Sequence, residues 1–344
     1  MEKKDFRILC ADDSISIRTY LTQILTEWGY DVTACVSGKD AWDTYQKDPS
    51  YSVVLLDWIM PEMTGIEACQ QIRQFSTNKY TYIIMLTSKD STENIVEALN
   101  TGADDYLTKP FHPAELKARI QTAYRFFEYE RIQRSIENDT RLACYNALTE
   151  LAEARDFETG QHLHRVSSLS MILAKKLGKD EDFQRQIGIF APMHDIGKVG
   201  IPDNILLLPR RLTPEEFNVI KTHTTIGYQI LQGKPTMDMA AEIAHHHHEK
   251  WDGSGYPDGL KGEEISLASR IVSVVDVYDA LRALRPYKRA FSHTEALDII
   301  TQDTGKAFDP NVVKAFMTVE HHIKSQFDSS YRNDAQSVKR NFNR

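Results

Sequence analysis

The chain has 344 residues, of which 41% are apolar and 26% charged, values of a soluble globular protein too long for one compact core of ordinary size. A formal net charge of −8 leaves no domain-wide basic surface for phosphates, which argues against direct DNA binding without excluding a small phosphate-bearing substrate. The N-terminus reaches Asp12 and Asp13 before a signal-like apolar core forms, and no run approaches a membrane span, so a cytoplasmic protein without membrane contact is expected.

Over the first 124 residues, short apolar runs alternate with helical patterns: FRILCADD, DVTACVSG, YSVVLLD, YIIMLTS and DYLTKP. Five strands separated by amphipathic stretches predict an α/β doubly wound, five-stranded parallel sheet. Cys10 and Cys35 fall within apolar runs, and none of the four cysteines forms a CxxC pair, which fits free thiols in a reducing compartment. Residues 125–150 read as a charge-rich connector helix without Gly or Pro. Leu116, Ile120, Ala123 and Phe127 step by four, three and four, as the seam of a helix pair in a homodimer would; the step of five to Ile132 breaks the register. Residues 151–323 read as all-α, with RIVSVVDVYDAL open between a strand and a buried helix. The polar stretch 324–344 reads as a disordered tail.

Ligands gather beyond the carboxyl ends of strands in a doubly wound sheet, and the polar residues of the first domain fall there. Asp12 and Asp13 follow the first strand, Asp57 the third, Thr87 the fourth and Lys109 the fifth. Converging carboxylates repel unless they share a hard cation, for which Mg²⁺ is the natural choice, and a lysine with a hydroxyl completes a site for a transferred phosphoryl group. The strings ADD, LLDWIMPEMTG, LTS and YLTKP resemble the receiver domain of two-component response regulators. That resemblance implies Asp57 as phosphoacceptor, Asp12 and Asp13 as Mg²⁺ ligands with it, Lys109 as phosphoryl partner, and Thr87 with Tyr106 as a switch pair. It also implies a cognate sensor histidine kinase.

The second domain concentrates histidine: eight of the twelve lie between His162 and His248. Imidazole and carboxylate without cysteine point to Fe, Mn, Zn, Ni or Co and away from a thiolate zinc site. Glu158 and His162, four apart, would share a helix face; His194 and Asp195 are adjacent, so the carboxylate can bridge two ions. His223 adds an imidazole, and Asp276 sits in an apolar run where an unpartnered carboxylate is costly. The run AHHHHEKWDGSGYP is internal and leads into a glycine-rich turn, unlike a terminal purification tag.

The strings ETGQHLHRV, HDIGKVGIPDNIL, HTTIGYQIL, HHEKWDGSGYPDGLKGEEI and ASRIVSVVDVYDAL resemble, in order, the HD-GYP branch of the HD metal-dependent phosphohydrolases. The resemblance implies hydrolysis of cyclic di-GMP to pGpG or GMP at two or three divalent ions, Fe or Mn. The implied ligands are Glu158, His162, His194, Asp195, His223, His247, His248 and Asp276, with the Glu158 position resembling members that hold a third ion. His245 and His246 fall at variable helix positions. Lys198, four residues after His194 on one helix face, is placed to reach a phosphoryl oxygen, with Asp195 and Lys198 at the chemistry. Arg285 and Lys288 of RPYK are the expected phosphate binders, and Tyr256 either lines a guanine pocket or packs within its loop. Two departures stand out: LLLPRRLT where a KPG-like turn is common, and Ser266 where proline is usual. The readings set against this one are a hydrolase of another nucleotide and a non-catalytic adaptor, which loss of ligands would favour.

Overall fold

A computed structural model describes residues 6–75, 79–88, 92–154, 160–208, 210–283 and 289–341. The chain divides into two compact units, 1–138 and 139–344.

The first unit is a parallel sheet in the order β2-β1-β3-β4-β5, built from β1 (Arg7–Ala11), β2 (Asp31–Cys35), β3 (Val53–Asp57), β4 (Tyr82–Thr87) and β5 (Asp105–Thr108). Helices α1 (Ile15–Glu27), α2 (Gly38–Lys47), α3 (Gly65–Gln74), α4 (Thr92–Thr101) and the start of α5 (Pro113–Glu153) alternate with the strands. All residues of β3 and β4 are buried, as expected of central parallel strands covered on both faces. Alternation along the strands therefore feeds two cores: Leu9, Val54, Leu56 and Ile83 on one face, Ile8, Leu55, Ile84 and Leu107 on the other. β1 neighbours β3, so the strand order reverses between them and opens a crevice at their carboxyl ends.

One sequence expectation is corrected here. Leu116, Ile120 and Ala123 are fully buried and Phe127 packs on the same core, so their four-three-four rhythm is the face of α5 that covers the sheet and not a seam for a second chain. The large apolar side chains that α5 exposes lie further along, at Tyr129, Ile132, Ile136, Leu142, Leu148 and Leu151.

The second unit is helical. After α5 come α6 (Gly160–Lys176), α7 (Glu181–Phe190), a 3-10 segment (Ala191–Gly200), α8 (Asp203–Leu206), α9 (Pro214–Leu231) and α10 (Asp238–His246). A short 3-10 turn (Gly262–Glu264) precedes α11 (Leu267–Arg282), α12 (His293–Gln302), α13 (Pro310–Thr318) and α14 (Glu320–Asn341). The β-branched run RIVSVVDVYDAL is α11: Ile271, Val272, Val274, Val275 and Tyr278 are fully buried at the centre of the core. Burying such side chains is worth about 1.5–3 kcal/mol each, which outweighs the few tenths by which valine disfavours a helix.

The two departures noted in the sequence have local explanations. Ser266 caps α11 by accepting from Ser269 N. Before α9, Arg210 grips Glu216 with both guanidinium nitrogens at 2.7 and 2.6 Å, and Glu216 closes a capping box on Thr213. The folded unit also extends past residue 323. Phe327, expected in a disordered tail, is 2% exposed beside Tyr278, and Asp328 pairs with Arg282 at 2.7 Å, so α14 belongs to the core packing. Among the described residues, no helix is long and apolar enough to cross a membrane.

Candidate metal centre

Five elements converge on one point in the helical unit. His162 lies in the first turn of α6, His194 and Asp195 in the 3-10 segment, His223 in the middle of α9, His247 and His248 just beyond α10, and Asp276 in α11. Their donor atoms fall into two groups, Asp195 with His223, His247 and His248, and His162 with His194 and Asp276; within each group they lie within 4.8 Å of one another. Asp195 links the groups. Its Oδ1 stands 3.2 Å from His223 Nε2 and 3.7 Å from His247 Nε2, while its Oδ2 stands 3.3 Å from His194 Nε2. Asp276 Oδ1 lies 3.8 Å from both His162 Nε2 and His194 Nε2.

The imidazoles are oriented from behind. His194 Nδ1–H donates to the Ala191 carbonyl at 2.9 Å, His223 Nδ1–H to Ile220 at 2.7 Å, and His247 Nδ1–H to Ile243 at 3.0 Å. His162 Nδ1–H donates to the Asp279 carboxylate at 2.7 Å. Each commitment leaves the Nε2 lone pair facing inward, the tautomer a metal ligand needs. His223 Nε2 and His247 Nε2 then approach to 3.4 Å. Two lone pairs at that distance repel unless a proton or cation stands between them, and burial pushes the His247 imidazole down, and that of His248 well down, against taking the proton. Neutral imidazoles and carboxylates gathered at these distances fit divalent ions as the missing positive charge. Burial also pushes the Asp195 carboxyl up, but Lys198 and the imidazoles outweigh it and hold it well below the usual carboxylate range.

Close backbone approach makes the convergence possible. A Cβ on Gly197 would stand 1.9 Å from the His223 carbonyl oxygen, so only glycine lets the 3-10 segment lie against α9 and bring Asp195 to His223.

Lys198 differs from its expected place. The segment winds with about three residues per turn, not 3.6, so Lys198 stacks over Asp195 rather than His194, and its Nζ pairs with Asp195 Oδ2 at 2.8 Å. Tyr256 is half-buried, with its ring 4.9 Å from that of His248, edge-on to Phe217 at 6.3 Å, and Lys221 Nζ 5.4 Å above it. Glu158, Arg285 and Lys288 lie outside the described residues.

Asp279 was not singled out on sequence. It is 1% exposed and accepts from Arg165 Nε at 2.5 Å and Nη2 at 3.0 Å as well as from His162. The available signal was its spacing of three from Asp276 on one helix, which turns both carboxylates toward His162.

The crevice of the parallel sheet holds the other site. Lys109 Nζ bridges Asp12 Oδ2 and Asp57 Oδ1 at 2.6 Å each, and Asp13 completes a carboxylate trio. Burial raises the Asp57 carboxyl above its ordinary range against the pull of Lys109, so a cation here favours its charged form. A Cβ on Gly65 would stand 2.1 Å from the Asp57 carbonyl oxygen, which holds the MTG turn close to the acid. Thr87 ends β4 and is 2% exposed; Tyr106, on β5, is half-buried.

An acidic crevice with a lysine on a doubly wound sheet, followed along the chain by a helical histidine-carboxylate centre, matches the class of response regulators that carry a metal-dependent hydrolase domain. Family models agree: the response regulator receiver domain matches residues 8–121 and the HD domain residues 146–312. A protein of Vibrio cholerae named as a probable cyclic di-GMP phosphodiesterase is 39% identical, with 92% of this chain and 78% of the relative aligned. A cyclic di-GMP phosphodiesterase of Thermotoga maritima is 37% identical over 92% of this chain and 91% of its own length. The cyclic di-GMP phosphodiesterase response regulator RpfG of Xanthomonas campestris is also 37% identical, over 92% and 89%. The chain belongs to this family of receiver–HD cyclic di-GMP phosphodiesterase response regulators.

Proposed function

We propose that this chain hydrolyses a phosphodiester bond of cyclic di-GMP, yielding pGpG and, if both links are cut, GMP, under the control of phosphorylation at Asp57. The observation that carries the reading is Asp195, whose two carboxylate oxygens face different histidine groups at 3.2 and 3.3 Å, the disposition of a ligand shared by two ions. Bound there, Fe or Mn would activate water near neutral pH and neutralise charge on the phosphoryl oxygens. His223, His247, His248 and one oxygen of Asp195 would hold one ion; His162, His194, Asp276 and the other oxygen would hold the second. Glu158 would serve a third.

The remaining residues bind and orient. Lys198, fixed by its ion pair with Asp195, contributes positive charge at the edge of the centre, where a non-bridging oxygen would lie. Tyr256 and Phe217 offer ring faces for a guanine, with Lys221 beside them. Arg285 would grip phosphate with its planar fork and Lys288 as a point charge. In the receiver, Asp12, Asp13 and Asp57 would hold Mg²⁺, Lys109 would meet the phosphoryl group donated through a sensor histidine kinase, and Thr87 with Tyr106 would register it. Pairing of two copies would use the exposed Ile132 and Ile136 of α5.

The test of the reading is chromatographic analysis of cyclic di-GMP after anaerobic incubation with Mn²⁺- or Fe²⁺-loaded protein. The expected products are pGpG or GMP. Absence of turnover at full metal occupancy would reject it, and preferential cleavage of a hybrid cyclic dinucleotide would move the substrate. For control, a phosphodonor should shift turnover or oligomeric state in the wild type and leave Asp57→Asn unchanged. A wild type as unresponsive as Asp57→Asn, by both assay and sedimentation, would sink the regulatory part.

A further inference from the structure

Two members of the four-histidine run stand outside the centre just described. His245 and His246 occupy the last turn of α10 and meet Asp258, two residues beyond Tyr256. His246 Nε2 lies 3.1 Å and His245 Nδ1 3.7 Å from one and the same oxygen, Asp258 Oδ2. The donor atoms of the three side chains lie within 4.8 Å of one another. Behind His246, its Nδ1 lies 3.1 Å from Glu242 Oε2, one helical turn back.

His246 therefore has a carboxylate oxygen 3.1 Å from each ring nitrogen, Glu242 behind it and Asp258 in front. A ring that donates Nδ1–H to Glu242 turns its Nε2 lone pair toward Asp258, where a cation between the two would satisfy both. A carboxylate behind an imidazole is the arrangement that orients metal-binding histidines. His245 is held separately, stacked on Tyr228 with ring centroids 4.4 Å apart and planes 17° from parallel. The Asp258 side chain is 49% exposed, so an ion can enter from solvent, and the carbonyl end of α10 adds negative potential.

We propose that His245, His246 and Asp258 form a separate site for one divalent transition ion, with Glu242 as its positioning residue. Two imidazoles and a carboxylate suit zinc with one position left to water. The site ties the end of α10 to the turn that follows Tyr256. That turn is already anchored by Glu249, whose Oε1 accepts from Asp258 N at 2.7 Å and Gly259 N at 2.9 Å, so an ion here would stiffen the loop beside the main centre. The inference concerns metal binding and does not rest on which nucleotide the chain cleaves.

The experiment is zinc titration of the metal-depleted full-length protein, with bound zinc counted per chain after removal of free ion. Asp258→Asn, which keeps both the backbone N–H held by Glu249 and the shape of an exposed side chain, should bind one zinc fewer than wild type. The double variant His245→Gln/His246→Gln should lose the same single equivalent. Asp195→Ala, which strips the main centre, should keep that zinc, and Asp195→Ala/Asp258→Asn should lose it. Circular dichroism spectra matching the wild type guard against misfolding. Wild type and Asp258→Asn binding equal zinc would overturn the proposal and leave the contacts of His246 with Glu242 and Asp258 as hydrogen bonds that hold the loop.

Discussion

Asp195→Ala is expected to lower cyclic di-GMP turnover by more than about 100-fold, because loss of a mere outer partner of a metal ligand already costs roughly 10–100-fold. This side chain serves both groups at once, through Oδ1 toward His223 and His247 and Oδ2 toward His194. Its removal also leaves Lys198 without its 2.8 Å carboxylate partner beside a buried cluster of imidazoles. Alanine should therefore cost metal as well as rate. Product formation and metal content measured on the same preparation separate the two losses. A metal-replete Asp195→Ala with wild-type turnover would refute the shared-ligand reading and with it the proposed chemistry.

The second large effect is expected at Asp279, and it should appear first in stability. The carboxylate is 1% exposed and receives His162 Nδ1–H and two guanidinium nitrogens of Arg165, itself 2% exposed. Asp279→Ala would take from the buried Arg165 the carboxylate that meets two of its guanidinium nitrogens, and breaking a buried pair in this way costs up to about 3–5 kcal/mol. For a unit of this size that lowers the melting temperature by roughly 6–20 °C. Asp279→Asn keeps the volume and one acceptor oxygen, so its loss should be smaller, while the weaker hold on His162 Nδ1–H lowers metal affinity by about 10–100-fold. Thermal unfolding and metal titration of both variants provide the check. Equal melting temperatures for wild type and Asp279→Ala would show that Arg165 finds another partner and that the triad is dispensable.

Much of this was legible before any coordinates. The five strands announce themselves because both faces of a parallel sheet are covered, which leaves near-continuous apolar runs such as VVLLD and YIIMLT. The acids at strand ends and the histidines between His162 and His248 are unusual enough in type and spacing to be picked out one by one. Less was legible where one periodicity serves two purposes. Leu116, Ile120 and Ala123 repeat as a dimer seam would, yet the partner they cover is their own sheet. The run in α11 has the composition of a strand, but among the described residues its own unit has no sheet to join, and a buried helix satisfies its own backbone. Phe327 stands in a polar tract, and a single aromatic says nothing of burial until Tyr278 and Arg282 are beside it.

The sequence by itself determined the division into a parallel-sheet domain and a helical domain, and it named the residue types able to hold phosphoryl groups and divalent ions. Both are properties of local pattern and chemistry, which do not depend on where distant segments lie. Only the tertiary structure decided that Asp195 turns one oxygen to each histidine group, that Lys198 pairs with Asp195, and that Asp279 stands behind His162. The family resemblance had already set His247 and His248 apart as ligands, and the structure turns those two into the main centre while showing what the resemblance did not, that His245 and His246 face Asp258. Those outcomes hang on a turn of 3-10 geometry, a glycine that lets two backbones touch, and a helix that ends within a run of identical residues. None of these leaves a periodic trace, because each is settled by contacts between segments far apart in the chain.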